Sequence, residues 1–210
     1  MIGCVYSWRE HTDAERSHYS LQTYDLDYRF PFGPKELWGL AYRTDYDLKQ
    51  HIEHSGKDLS YTDPQTGQTL VPHVIEPALG VARAFLMVLC DAYQEDTERS
   101  RIVLNLKPSL APYQVAVFPL LKNKPELVEK ARQVFVQLSS TAYNWQVAFD
   151  DRGNIGKRYL AQDEIGTPFC VTIDFETLED DTVTIRDRNT TNQERLKLSE
   201  LPNYLVKMIG

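Results

Sequence analysis

Glu76 and Arg83 are the residues whose types and spacing point most directly to chemistry in this 210-residue chain. They lie in the stretch from Val71 to Asp91, which reads as a short apolar strand, a tight Glu76-Pro77 turn, and a helix entering at Leu79-Gly80. From Ala78 to Tyr93 only Arg83 and Asp91 carry charge. A helix apolar on every face belongs in an interior, so Arg83 is expected one turn into a buried helix, with the Glu76 carboxylate at the strand end beside it. Both charges are costly there unless paired. Two readings stay open: the two pair with each other, or they face one pocket and share a charged ligand. A helix N-terminus adjoining a strand end suits the second reading, because its free N–H groups attract anions.

The elements that must position this pair precede and follow it. Tyr24 to Phe32 alternates aromatic and acidic residues, with Tyr24, Leu26, Tyr28 and Phe30 on one side, as in a half-buried strand. Pro31, Gly33 and Pro34 end it, and Leu37 to Ala41 forms the next strand with Glu36 at its mouth. Residues 1–22 are polar and expected to be helical around Asp13 to Tyr19. Arg43 to His51 becomes helical, 55–67 is a loop or hairpin, and 69–75 supplies a third strand. This implies an antiparallel sheet with the apolar helix packed across it. The charged, apolar-free stretch Gln94 to Arg101 marks a boundary, giving units 1–99 and 100–210. Beyond it come a buried strand at 114–121, a helix at 126–138, a strand at 146–149 and a helix at 155–164. Strands at 169–173 and around Val183 and Ile185 follow, then a last helix capped by Ser199. The second unit is therefore a small α/β domain with a mixed sheet.

Bulk properties narrow the function classes. With 42% hydrophobic and 25% charged residues the composition is that of a globular protein. A net charge of −7 argues against broad attachment to DNA or an anionic membrane, though not against a local basic surface that grips one RNA. Cys4, Cys90 and Cys170 are far apart, and His18, His51, His54 and His73 share no ligand spacing, so no metal site is expected. The scattered cysteines suggest no disulfide framework, so a reducing cytoplasm is the default, and neither a signal-peptide pattern nor a run approaching ~18 apolar residues is seen. No P-loop or serine-hydrolase motif occurs.

Four ordered blocks carry a resemblance. Residues 74–83, Val-Ile-Glu-Pro-x-x-Gly-x-x-Arg, resemble the third signature motif of class II aminoacyl-tRNA synthetases in the form found in glycyl-tRNA synthetases. The other blocks are His18 to Gly33, Glu36 to Leu48, and Gln162 to Cys170 with Arg186-Asp-Arg188. The resemblance runs from about Trp8 to about Leu205 and implies the C-terminal portion of such an enzyme. Residues 1–99 would be the end of the catalytic core and 100–210 an anticodon-binding domain. It implies ligation of glycine to its tRNA with ATP and Mg2+, with homodimers in the full-length enzyme. Glycine would meet Glu76, Ala78 and Gly80, and ATP would meet Glu36, Leu37, Gly80 and Arg83. Anticodon bases would meet Arg158, Gln162, Asp163, Glu164, Thr167, Phe169, Arg186 and Arg188.

There are departures. Ala78 stands where the family has Ser, and Pro34-Lys35 replaces the usual turn before Glu36. The first and second class II motifs are absent, so these residues alone are expected not to form glycyl-adenylate. The unpaired sheet edge left by that absence predicts self-association or disorder in residues 1–60. An alternative reading is a non-catalytic, synthetase-derived paralogue that binds RNA or a protein partner, a route the accessory subunits of some mitochondrial DNA polymerases illustrate. Ala78 and the missing motifs favour it, and retention of Glu76, Gly80 and Arg83 opposes it.

Overall fold

A computed structural model of the chain describes residues 5–140 and 144–209. Cys4 lies outside them. The chain divides into two compact units, Met1–Cys90 and Asp91–Gly210.

In the first unit, β1 (Tyr6–Glu10), β2 (Gln22–Phe30), β3 (Gly33–Thr44) and β6 (Val74–Leu79) form an antiparallel sheet in the order β1-β2-β3-β6. Between β3 and β6 come α1 (Tyr46–Ser55) and the hairpin of β4 (Tyr61–Thr62) with β5 (Thr69–Leu70). The last element is α2 (Val81–Ala92). The aromatic side of β2 is buried as its alternation requires: Tyr28, Phe30 and Leu37 form a small core, with Met87 and Cys90 of α2 packed against it.

Three local expectations differ from what is observed. Asp13 to Glu15 is a turn, not a helix, because Glu15 accepts from both the backbone N–H and the hydroxyl of Thr12. Glu76-Pro77 makes no turn: β6 runs through it, and Pro77 is tolerated because β6 is an edge strand. Helix α2 is not interior. Among its described residues only Ala92 is buried, while Val81 is 81% and Phe85 65% exposed. Met87 and Cys90 pack against the small core of the sheet, while Val81, Phe85 and Leu86 stay exposed despite the apolar composition of the helix.

The second unit begins with a hairpin of β7 (Tyr93–Asp96) and β8 (Arg101–Leu104). The charged stretch expected to be a boundary is therefore part of this unit, and Arg101 is buried and bonded to Asp163. A short 3-10 turn at Pro108–Leu110 leads to β9 (Val115–Pro119), α3 (Pro125–Ser139), β10 (Val147–Phe149), α4 (Ile155–Ile165) and β11 (Phe169–Ile173). Then follow α5 (Phe175–Asp180), β12 (Thr182–Asp187), β13 (Gln193–Lys197) and α6 (Leu201–Ile209). The sheet order is β10-β9-β11-β12-β13, with β9 parallel to both neighbours and the β11-β12-β13 side antiparallel. Strand β9 is a continuous apolar run because both its faces are covered: Val115, Ala116, Val117 and Phe118 are all 0% exposed. Leu127, Ala131, Val134 and Leu138 form the inward stripe of α3, spaced as a core-facing helix requires.

Candidate functional site

Cross-strand register gathers the charged residues of the first unit. Arg9, Asp25, Gly39 and Ala78 are successive partners across β1, β2, β3 and β6, so they lie on one face of the sheet. Glu76 lies two residues from Ala78 and shares that face. A register shift after Leu26 sets Glu36 opposite Asp27. Asp25 is the anchor of this face: it is 5% exposed and takes the Arg9 Nη2 donor at 2.6 Å and His11 Nε2 at 2.8 Å.

Glu76 and Arg83 do not pair with each other. Arg83 reaches back to β3, donating to the carbonyl of Glu36 at 2.9 Å and meeting its carboxylate at 3.0 Å. Glu76 Oε2 instead accepts from Arg43 Nη1 at 2.5 Å. Arg43 is fixed by both oxygens of Asp47 and by the Tyr19 ring, 4.0 Å beneath its guanidinium. The carboxylates around Arg43 raise its pKa further above the usual arginine range, with the Asp47 hydrogen bonds the largest cause. Gly80 lies at the entry to α2 beside the Arg83 stem, while Leu37 turns into the core.

Arg83 and Glu36 line a cavity of about 530 Å³ together with Arg9, Asp27, Lys35, Phe30, Phe32, Pro34 and Leu86. The rings of Phe30 and Phe32 stack 5.1 Å apart. This arrangement offers an aromatic wall, three cations and two carboxylates to one ligand. Glu76 and Ala78 are not among the residues lining it. The sequence does not mark Arg9, Asp27 and Lys35 as lining residues because their convergence depends on strand register, which spacing along one strand does not reveal.

In the second unit, seven of the eight residues expected at the RNA face inward. Only Glu164 is exposed; Arg158, Gln162, Asp163, Thr167, Phe169, Arg186 and Arg188 are buried. Asp163 is 0% exposed, grasped by both terminal nitrogens of Arg186 at 2.8 and 2.9 Å and by Arg101 Nη1 at 2.9 Å. Arg158 donates to the carbonyls of Pro119, Arg152 and Gly153. Thr167 donates to Gln162 at 2.6 Å. These groups spend their polar atoms inside the fold, which makes them supports of the surrounding surface.

Arg188 shows what such a support does. Its guanidinium donates to the carbonyls of Gly166 and Leu106, to Asn105 Oδ1 at 2.9 Å and to Asn189 Oδ1 at 2.9 Å. Three separate segments are thereby tied at the rim of a second cavity of about 390 Å³. Gly166 is essential to that approach. Its φ is +85°, and a Cβ there would stand 2.9 Å from both the Leu104 carbonyl and the Leu106 side chain.

Comparison with known proteins bears on both units. Residues 114–208 match the anticodon binding domain family. Over 203 residues the chain is 52% identical to "Glycine--tRNA ligase" of Bacillus anthracis, covering 96% of this chain and 43% of that protein. The corresponding protein of Staphylococcus haemolyticus is 50% identical over 206 residues, with the same coverage. That of Alkaliphilus oremlandii is 52% identical over 200 residues, 94% of this chain and 42% of that protein. The chain thus spans less than half the length of the relatives it matches. With about half of its residues identical from end to end of the match, the chain is similar to the C-terminal portion of glycine--tRNA ligases, and its second unit matches the anticodon binding domain family.

Proposed function

We propose that this chain contributes part of the nucleotide and glycine site, and the tRNA anticodon module, of an enzyme that joins glycine to its tRNA at the expense of ATP. The observation that carries the reading is the pairing of Arg83 with Glu36 beside the stacked Phe30 and Phe32 in one open cavity. A planar guanidinium next to aromatic rings suits a base and its phosphates, because it can stack on one and form charged hydrogen bonds with the other. Negative charge grows as pyrophosphate leaves, and a cation fixed in advance by Glu36 stabilises that charge without reorganising.

Glu76 is suited to the glycine ammonium. Arg43 occupies only Oε2, so the other oxygen can accept from an amine. The methyl group of Ala78 on the same face leaves little polar help. Compared with a serine it forgoes a hydrogen bond worth roughly 0.5–1.5 kcal/mol. Among the described residues no group of three or more His, Cys, Asp or Glu could hold a metal ion by itself. Mg2+ would enter with the nucleotide, held mainly by phosphate oxygens and water.

The test is glycine-dependent exchange of pyrophosphate into ATP by the complete polypeptide that contains these residues. Arg83→Ala should lower kcat/KM for ATP by about tenfold to a hundredfold, the loss expected for charged hydrogen bonds. Glu76→Gln should raise KM for glycine and leave that for ATP nearly unchanged. No exchange by the complete wild-type polypeptide refutes the ligase reading. It would leave the binding-only paralogue, which Ala78 favours.

A further inference from the structure

The cavity organised by Arg188 has no part in the reading above beyond belonging to the anticodon module, and its chemistry is unusually specific. Its lining is mostly apolar or aromatic, with Leu106, Pro108, Pro168, Phe169 and Met208, and the one carboxylate in it, Asp187, is engaged by the Thr190 N–H and hydroxyl. Asn105 and Asn189 stand at its rim, both exposed, with Lys107 between the first of them and Pro108. An arginine can only donate, so each amide that contacts Arg188 must turn its oxygen inward. The orientation of both amides is thereby fixed, and both NH2 groups are directed away from Arg188. Neither NH2 group has a hydrogen-bond partner among the described residues, and Lys107 has no ion pair there. Two preset donors and a cation above an apolar floor match a flat ligand with acceptors along one edge and a phosphate nearby. An unstacked nucleobase has that form: its faces pack on apolar or aromatic groups and its edge is read by hydrogen bonds.

We propose that this cavity receives one splayed base of the tRNA anticodon loop, read through its acceptor edge by the amide donors of Asn105 and Asn189, with Lys107 on the adjacent phosphate. The proposal rests on the reading of the second unit as an anticodon module. It places recognition at Asn105, Lys107 and Asn189, with Arg188 as the positioning residue beneath them.

The experiment measures binding of the 210-residue chain to a fluorescent RNA hairpin carrying the anticodon arm of a glycine tRNA. Asn105→Asp and Asn189→Asp are the main variants. Each keeps the oxygen that Arg188 holds while replacing the donor by an acceptor, so the fold is retained; a thermal melt verifies this. Asn105→Ala and Lys107→Ala accompany them. Each amide variant should weaken binding about tenfold, the loss of one edge contact. The loss for Asn105→Ala should disappear when one particular loop nucleotide is made abasic, because only that base couples to the amide. Lys107→Ala should weaken all hairpins alike and flatten the salt dependence. Wild-type binding with folded amide variants that bind equally well overturns the pocket and leaves the module reading intact. Losses that persist at every abasic position overturn it too. Failure of the wild-type chain to bind any hairpin defeats the module reading, and the pocket with it.

Discussion

The two units bury their apolar residues to very different degrees. In the second, Val115, Val117, Leu127, Val171, Ile173, Leu201 and Leu205 are all 0% exposed. In the first, the core is three residues deep, and β6 and α2 leave Ile75 65%, Leu79 54% and Phe85 65% exposed. Both units carry equally apolar runs, so hydrophobicity in a sequence records a demand for cover and does not reveal what meets it. Where strands and helices of the same 120 residues surround a run, as in Asp91–Gly210, the demand is met locally. Along α2 it is not, and the open face adjoins an edge strand, a combination prone to association.

The contrast can be broken or sharpened by mutation. The largest effect is expected at Asp163. Replacing it with Ala leaves Arg186 and Arg101 facing one another without their shared anion, which should cost about 3–5 kcal/mol in urea unfolding of the chain. Leu127→Ala should cost about 2–5 kcal/mol by opening a hole in a fully buried site. If either costs under about 0.5 kcal/mol, the second unit is not the closed core described here.

A pH effect comes next. Asp174 caps α5, accepts from Thr177 N–H at 3.0 Å and takes two donors of Arg195 at 2.8 Å each. Arg195 above all, then the Thr177 contacts, hold its carboxyl down to about 2. A folded-state value below the unfolded one stabilises the fold above the ordinary carboxylate range, and that stability is lost as the pH falls through about 2. Partial exposure limits it to roughly 1–2 kcal/mol. Arg195→Ala should reduce the pH dependence between about 4 and 2, leaving the part due to the Thr177 contacts and to other paired carboxylates; an unchanged profile would show that the pair is not formed. The smallest stability effect is expected at Phe85→Ser, within about 0.5 kcal/mol, yet the same change should reduce self-association measured by size-exclusion chromatography. A loss of several kcal/mol there would mean that the face is covered after all.

Much of this organisation is legible in the residues themselves. The alternation of β2, the continuous run of β9 and the stripe of α3 each give both element and buried side, because period and burial are coupled. Strand β13 is not legible in the sequence, since Gln193–Lys197 is polar and largely exposed and pairs on one side only. Helix α5 is only six residues long and carries little periodic signal, although Asp174 and Thr177 form a reciprocal cap that the spacing allows. Buried arginines are the deeper difficulty. Arg158, Arg186 and Arg188 sit among polar neighbours in sequence, where solvent is the default expectation. Only the folded backbone supplies the carbonyls and the single carboxylate that make their burial tolerable. The resemblance implies that Glu36 and Arg83 meet one ligand, but their direct pairing depends on β3 running past α2, which no local pattern encodes.

Arg188 has a last consequence, electrical in kind. It is 2% exposed and has no carboxylate within ion-pair distance among the described residues, so carbonyl and amide dipoles make its direct contacts, with the Asp187 and Asp163 carboxylates acting from further off. Mobile counterions screen charges at a surface within about 8–10 Å at ordinary ionic strength and reach buried ones far less. A chain that is acidic overall therefore keeps a cation under one small opening, tempered by Asp187 in the same lining, and salt that silences Lys107 should weaken it far less.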